Sequence, residues 1–276
     1  MRRWSLSMGA ALVVLAPVST AQPRLIVAGF DLMAPLARWE LPVSLREVSG
    51  LAAFADGQVL AHGDERAVVF AVDYRTGRVV REWEMGSPVV RGDFEGIAFA
   101  GNRATLMTSD GTLISGTLPA TGSVIAPLTV EESGLGRRCE LEGLTVGARG
   151  QWVLPCKAPR RPDRTALFTI HEWMSAAGAG QAAPIAISLG RQKRPMAPSA
   201  VERTSSGTFI VLFGSTPAIG EFTPDGQTLS LVALDRRAHP QPEGLALAPD
   251  GLLLIADEAQ GASGRGRLTV YGHVAR

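Results

Sequence analysis

The sequence predicts an all-β fold, a five-bladed β-propeller, on three observations. One short motif recurs five times, each copy opens a series of turn-separated strands, and a lone N-terminal strand matches the one the last series lacks. The copies are Val48-Ser49-Gly50-Leu51-Ala52, Phe94-Glu95-Gly96-Ile97-Ala98, Leu141-Glu142-Gly143-Leu144-Thr145, Pro198-Ser199-Ala200-Val201 and Pro242-Glu243-Gly244-Leu245-Ala246. Counted from the second position they lie 46, 47, 57 and 44 residues apart, the length of a four-stranded blade. The third position is Gly four times and Ala once.

Each unit divides into four short strands by its turn residues. The first gives strands at 49–54, 58–62, 67–73 and 78–85, with turns at Asp56-Gly57 and Thr76-Gly77. The second gives 95–100, 104–109, 112–118 and 123–130. The third gives 142–146, 151–156, 166–173 and 184–189, and a Gly/Ala-rich excursion at 175–183 accounts for the long interval. The fourth gives 199–203, 208–213, 218–223 and 228–234. The fifth gives 243–247, 252–256 and 267–272, and ends one strand short. Residues 36–41 resemble the last strand of the first unit, with Trp39 standing where Trp83 stands, so this segment is expected to complete the fifth blade. Closing the ring in this way leaves no sheet edge open. Six blades is the alternative, with a degenerate unit among the first mature residues. Trp39, Trp83, Trp152 and Trp173 are expected to pack between blades.

Composition agrees with a packed, turn-rich chain. Of 276 residues, 46% are hydrophobic and 19% charged, and 31 Gly and 18 Pro disfavour a helical bundle. Arg2 and Arg3, an apolar run over 8–16 and the small-residue site Ser19-Thr20-Ala21 read as a secretory signal cut after Ala21. The expected organisation is therefore a signal peptide at 1–21 and a single propeller at 22–276, periplasmic or secreted and monomeric. No later stretch is long enough to span a membrane. Without the signal the chain carries 25 basic and 26 acidic residues, which gives no electrostatic footing for nucleic acid. In an oxidising compartment Cys139 and Cys156, which bracket a hairpin, are expected to form a disulfide.

In a propeller the first strand of each blade lines the channel. That places Glu95, Glu142 and Glu243 at the channel mouth, with Ser49 and Ser199 completing the ring. The ends of second strands add Asp64 with Glu65, Asp110, and Asp257 with Glu258, while Lys157 and Ser215 hold the matching places in blades 3 and 4. Carboxylates around one opening repel each other unless something positive joins them. A hard cation on oxygen ligands does this, which makes Glu95, Glu142, Glu243, Asp64, Asp110 and Asp257 candidate Ca²⁺ ligands. The competing reading is that each Glu accepts backbone hydrogen bonds that fix the start of its blade. The connections and loops on the same face carry many arginines, of which Arg91, Arg138, Arg160, Arg194 and Arg237 are candidates for a small anionic ligand or a protein partner. His62 and His239 are the general-base candidates near the mouth. There is no phosphate-cradling Gly-rich loop, no HExxH and no GxSxG.

At these motifs the sequence resembles the SdiA-regulated family of exported bacterial β-propellers, over about residues 36–271, most specifically at Pro240-Gln241-Pro242-Glu243-Gly244-Leu245-Ala246. The resemblance implies a propeller, export or membrane association and a bound Ca²⁺, and it supplies no reaction. Lys157 and Ser215 depart from the more acidic or polar family pattern. A more distant likeness is to phytase-like and lactonase-like propellers. Two functions follow: a ligand- or partner-binding propeller, and a calcium-dependent hydrolase of phosphate esters or lactones.

Overall fold

Five inner strands surround one axis; four begin at a copy of the motif, and the blade 3 strand is interrupted by its copy. The computed structural model describes residues 26–159, 168–174, 183–189, 196–261 and 263–274. The expected signal peptide, Arg160, Arg194 and most of the 175–183 excursion lie outside them.

Blade 1 runs Val48–Ala55, Gln58–Gly63, Val68–Asp73 and Arg78–Met85. Blade 2 runs Phe94–Ala100, Arg103–Thr108, Thr112–Thr117 and Thr129–Glu132. In blade 3 the inner strand is split into Cys139–Leu141 and Thr145–Val146. Both pieces pair with Trp152–Pro159, which is followed outward by Phe168–Trp173 and Ile185–Ile187. Blade 4 runs Pro198–Arg203, Phe209–Phe213, Ala218–Phe222 and Thr228–Ala233. Blade 5 runs Pro242–Leu247, Leu253–Asp257 and Arg267–His273, and its fourth strand is Phe30–Glu40 from the other end of the chain. That strand is antiparallel to its neighbour, with Arg38 opposite Thr269 and Trp39 opposite Leu268, so the N-terminal closure holds and the ring has five blades.

Two details differ from the sequence reading. The expected strand at 123–130 is two strands: Thr129–Glu132 completes blade 2, but Val124–Ile125 pairs in parallel with the outer strand of blade 1. Pro127 lies between them and has no N–H to carry a ladder through. In blade 3 the inner strand breaks at Gly143, whose φ of +77° leaves the β region.

The interior consists of five apolar cores, one at each junction between neighbouring blades. Trp83 is buried between blades 1 and 2, edge-on to Phe54 at 6.2 Å, and Trp39 donates its indole N–H to the Tyr74 carbonyl at 2.9 Å, joining blade 5 to blade 1. Cys139 and Cys156 form the expected disulfide, with Cα atoms 5.5 Å apart, between the innermost and second strands of blade 3.

The small third position of the motif is explained by how closely the inner strands approach each other. A Cβ on Gly96 would come 2.8 Å from the Gly143 carbonyl carbon and the Leu144 backbone N, and one on Gly143 would come 2.7 Å from the Ala200 Cα. The next residue in each copy, Leu51, Ile97, Leu144, Val201 or Leu245, is buried on the axis. Together they pinch the channel to a space of about 10 Å³, room for one water at most.

Candidate functional site at the channel mouth

The second motif position is displaced from its ladder in every blade. The register slips between Val48 and Gly50, Phe94 and Gly96, Pro198 and Ala200, and Pro242 and Gly244, which leaves Ser49, Glu95, Ser199 and Glu243 unpaired on the bulge. In blade 3, Glu142 falls in the gap between the two inner pieces. A bulge re-aims the side chain of the extra residue. Four such bulges and the blade 3 gap, set around one axis, gather those side chains into one ring above the pinch.

The ring members touch across blades. Ser49 Oγ donates to Glu95 Oε2 at 3.3 Å, the Gly143 N–H donates to the Glu95 carbonyl at 2.6 Å, and Ser199 Oγ donates to the Pro242 carbonyl at 2.8 Å. Glu243 lies against Gly214, where a Cβ would come 2.9 Å from its carboxylate.

The positive charge at the ring comes from the protein. Lys157, on the second strand of blade 3, forms an ion pair with Glu142 and also lies within the electrostatic reach of Glu95 and Glu243. Desolvation would lower the Lys157 pKa, but Glu142 first and then Glu95 and Glu243 outweigh it, and the ammonium is held protonated. Burial raises Glu95 to about 7, with Lys157 opposing and Asp93 adding to the rise. Burial likewise raises Glu243 to about 7, again against Lys157. Glu142 is pushed upward by burial and by the charge on Glu95, while Lys157 pulls it back.

The other predicted residues fall in three kinds of place. Asp64 lies at the edge of the ring, in a groove of about 280 Å³ shared with Arg46, Glu47 and Glu65, and burial followed by the charges on Glu47 and Glu65 raises its pKa. Asp110 is exposed and closes its own turn, accepting from Thr108 Oγ1 at 2.5 Å and Thr112 Oγ1 at 3.0 Å. Those hydrogen bonds, Thr108 first, lower its pKa. Asp257 and His239 are sealed inside blade 5. His239 Nδ1 lies 2.7 Å from Asp257 Oδ2, and its Nε2 lies 2.6 Å from the Tyr271 hydroxyl. His62 is fully buried under Gly50 with Nδ1 on the Gly63 carbonyl at 2.9 Å, and burial lowers its pKa to about 4. His62 and His239 therefore lie behind the mouth rather than on it.

Arg91, Arg138 and Arg237 are exposed. Their neighbours on the rim hold carbonyls of the same face, as Arg46 does with Gly261 and Arg236 with Ser215. Glu258 stands beside the mouth as its strand end suggests, and Glu47, which the sequence pattern does not single out, joins it there. Both enlarge the acidic field, and Glu258 is raised by burial and by Asp64 and Glu47. Glu47 sits on the interblade connection before Val48, outside the repeated motif, so only the position of that loop shows its place.

The ring glutamates do not form a compact ligand set. Among the described residues, the group of three His, Cys, Asp or Glu ligand atoms within 4.8 Å of one another is Cys139, Cys156 and His171, and its sulfurs are joined to each other.

The class of molecule is thus a five-bladed β-propeller with a lysine-centred glutamate ring over a closed axis. No family model matches the chain, and no curated protein matches it. Solved structures do. The glutaminyl cyclase of Myxococcus xanthus superposes with a TM-score of 0.58 at 15% identity, over 88% of this chain and 97% of that one. A luciferin-regenerating enzyme gives 0.56 at 9% identity, over 88% and 96%. A PQQ-bound aldose sugar dehydrogenase from Streptomyces coelicolor gives 0.52 at 14% identity, over 86% and 99%. At these identities the likeness is one of fold, and fold does not fix function. No helix among the described residues is long and apolar enough to cross a membrane.

Proposed function

We propose that the chain is an exported propeller that binds a small polar ligand at the channel mouth. The single observation behind this reading is the Lys157–Glu142 pair flanked by Glu95 and Glu243 above a closed axis. The ring presents carboxylate acceptors and one ammonium donor from rigid strands, with a hydrophobic floor beneath. Acids outnumber Lys157 there, so a ligand would direct an ammonium or other N–H donor group at Glu95 and Glu243. An anionic group on the same molecule would meet the exposed Arg91, Arg138 and Arg237. Export is supported by the disulfide and by the signal-like residues 1–21, and the motif likeness to the SdiA-regulated propellers supports the same placement.

Calcium, implied by that resemblance, fits the ring poorly. Lys157 stands where the ion would have to neutralise Glu142, and the glutamates are too spread to share an ion. A second reading rests on Glu95: a carboxyl titrating near neutrality beside the Ser49 hydroxyl is placed to move a proton, as hydrolysis of a phosphate ester or lactone requires.

Thermal-shift screening of polar metabolites at pH 7, with Glu95→Gln and Glu243→Gln alongside, tests the binding reading. A ligand that raises the wild-type melting temperature and loses its effect in both variants supports it. Ligands unaffected by both substitutions would place the site elsewhere. Turnover of generic phosphate or lactone substrates that disappears in Glu95→Gln would favour the enzyme.

A further inference from the structure

The far end of the axis holds a feature that the mouth does not explain. The fifth motif position is Ala52, Ala98, Thr145, Glu202 and Ala246 in successive blades. Four blades meet the requirements of the repeat with a small side chain, so the fold does not demand the carboxylate that blade 4 places there. Glu202 is half-buried at a cavity of about 140 Å³ whose walls include Ala52, Ala98, Phe99, Leu144 and Val146. The belt of Leu51, Ile97, Leu144, Val201 and Leu245 separates this vestibule from the mouth.

Glu202 Oε2 accepts from Thr145 Oγ1 at 2.9 Å. No cation is paired with it among the described residues, and its neighbour in sequence, Arg203, pairs with Glu172 at 3.3 Å instead. Burial raises its pKa to about 7, against the hydrogen bonds from Thr145 and the backbone of Arg203 and Leu247. A carboxylate among apolar walls is costly until a counter-charge joins it.

We propose that this vestibule is a second ligand site, which takes a small alkylammonium ion with its N–H groups on Glu202 and its carbon chain against Phe99, Leu144 and Val146. The ammonium supplies the missing counter-charge, and the apolar walls supply the rest. Each methylene that fits strengthens binding about fourfold. The volume accepts a chain of about five heavy atoms. The site stands whether or not the mouth binds as proposed above.

The test is a titration of the ¹⁵N-labelled full chain with n-butylammonium chloride at pH 8, followed by amide chemical shifts, with 1-butanol as the uncharged probe of equal length. Saturable shifts are expected at Thr145, Val146 and Glu202, at least tenfold weaker binding for the alcohol, and at least tenfold weaker amine binding in Glu202→Gln. Three results would overturn the proposal: no saturable shift at these residues, shifts confined to Ser49, Glu95 and Glu243, or equal binding by the alcohol or by Glu202→Gln. If the variant does not fold, the two wild-type titrations decide the matter alone.

Discussion

Lys157 and Glu142 are joined across adjacent strands of blade 3 in an ion pair whose carboxylate side chain is 2% exposed and whose lysine side chain is 39% exposed. The buried end is the acid, so the pair is asymmetric: removing the lysine takes away the group that favours the ionised carboxylate, whereas removing the glutamate leaves an ammonium that can reach solvent.

Lys157→Met should therefore destabilise the fold by about 2 kcal/mol at pH 7, less than for a fully enclosed pair because water partly screens the ammonium. The loss should grow from pH 7 to pH 9.5, because Glu142, raised by burial and by Glu95 and no longer pulled back by Lys157, keeps its proton at neutral pH and must ionise unpaired in the alkaline range. Chemical denaturation at the two pH values measures the difference.

The raised carboxyls fix the pH dependence of stability. Glu95, Glu243 and Glu202 titrate near 7 in the folded chain. The native state thus binds their protons more tightly than the unfolded chain, and their contribution is full below about 4.5 and lost as pH rises through 7. His62 has the opposite sign. Its folded pKa is about 4, so its contribution is present above 6.5 and lost as pH falls through 4. The three carboxyls outweigh the one histidine, so melting temperature should be highest at about pH 4 to 4.5 and fall as pH rises towards 7. Glu243→Gln should flatten the alkaline limb.

Gly143→Ala should destabilise the chain by more than about 2 kcal/mol, because the new methyl meets backbone of blade 4 at a positive φ. Gly150→Ala is the control, since it also has a positive φ but nothing within 4 Å of the added Cβ. Thermal melts of the two variants separate crowding at the axis from backbone strain.

Reduction of Cys139–Cys156, or their joint replacement by Ser, should cost about 3 kcal/mol for a link spanning 17 residues. The blade should stay folded, because Leu141 and Cys156 are already ladder partners. Circular dichroism with and without reductant checks both statements.

The fold was legible because its information is periodic. Gly50, Gly96, Gly143, Ala200 and Gly244 repeat a steric demand, and Trp39 repeats the place of Trp83, so closure could be inferred from the chain ends. The parallel strand at Val124–Ile125 was hidden because it belongs to the preceding blade, and no local pattern states which edge a two-residue strand will join. Within the site, Glu95, Glu142 and Glu243 were readable as motif positions. Asp257 occupies an equivalent strand end, yet His239 folds back from the interblade connection and covers it, a contact of side chains 18 residues apart that periodicity does not encode. Lys157 was visible as a departure from an acidic pattern. That its charge serves the ring became clear only from the approach of blades 2, 3 and 5.

If Lys157 is the cation of the glutamate ring, calcium has no place there, and calorimetric titration of wild type and Lys157→Met with calcium at pH 7 decides the point. The wild type should bind no stoichiometric calcium, and Lys157→Met should gain a site that Glu95→Gln abolishes. One equivalent of calcium bound by the wild type, and lost in Glu95→Gln or Glu243→Gln, would contradict it.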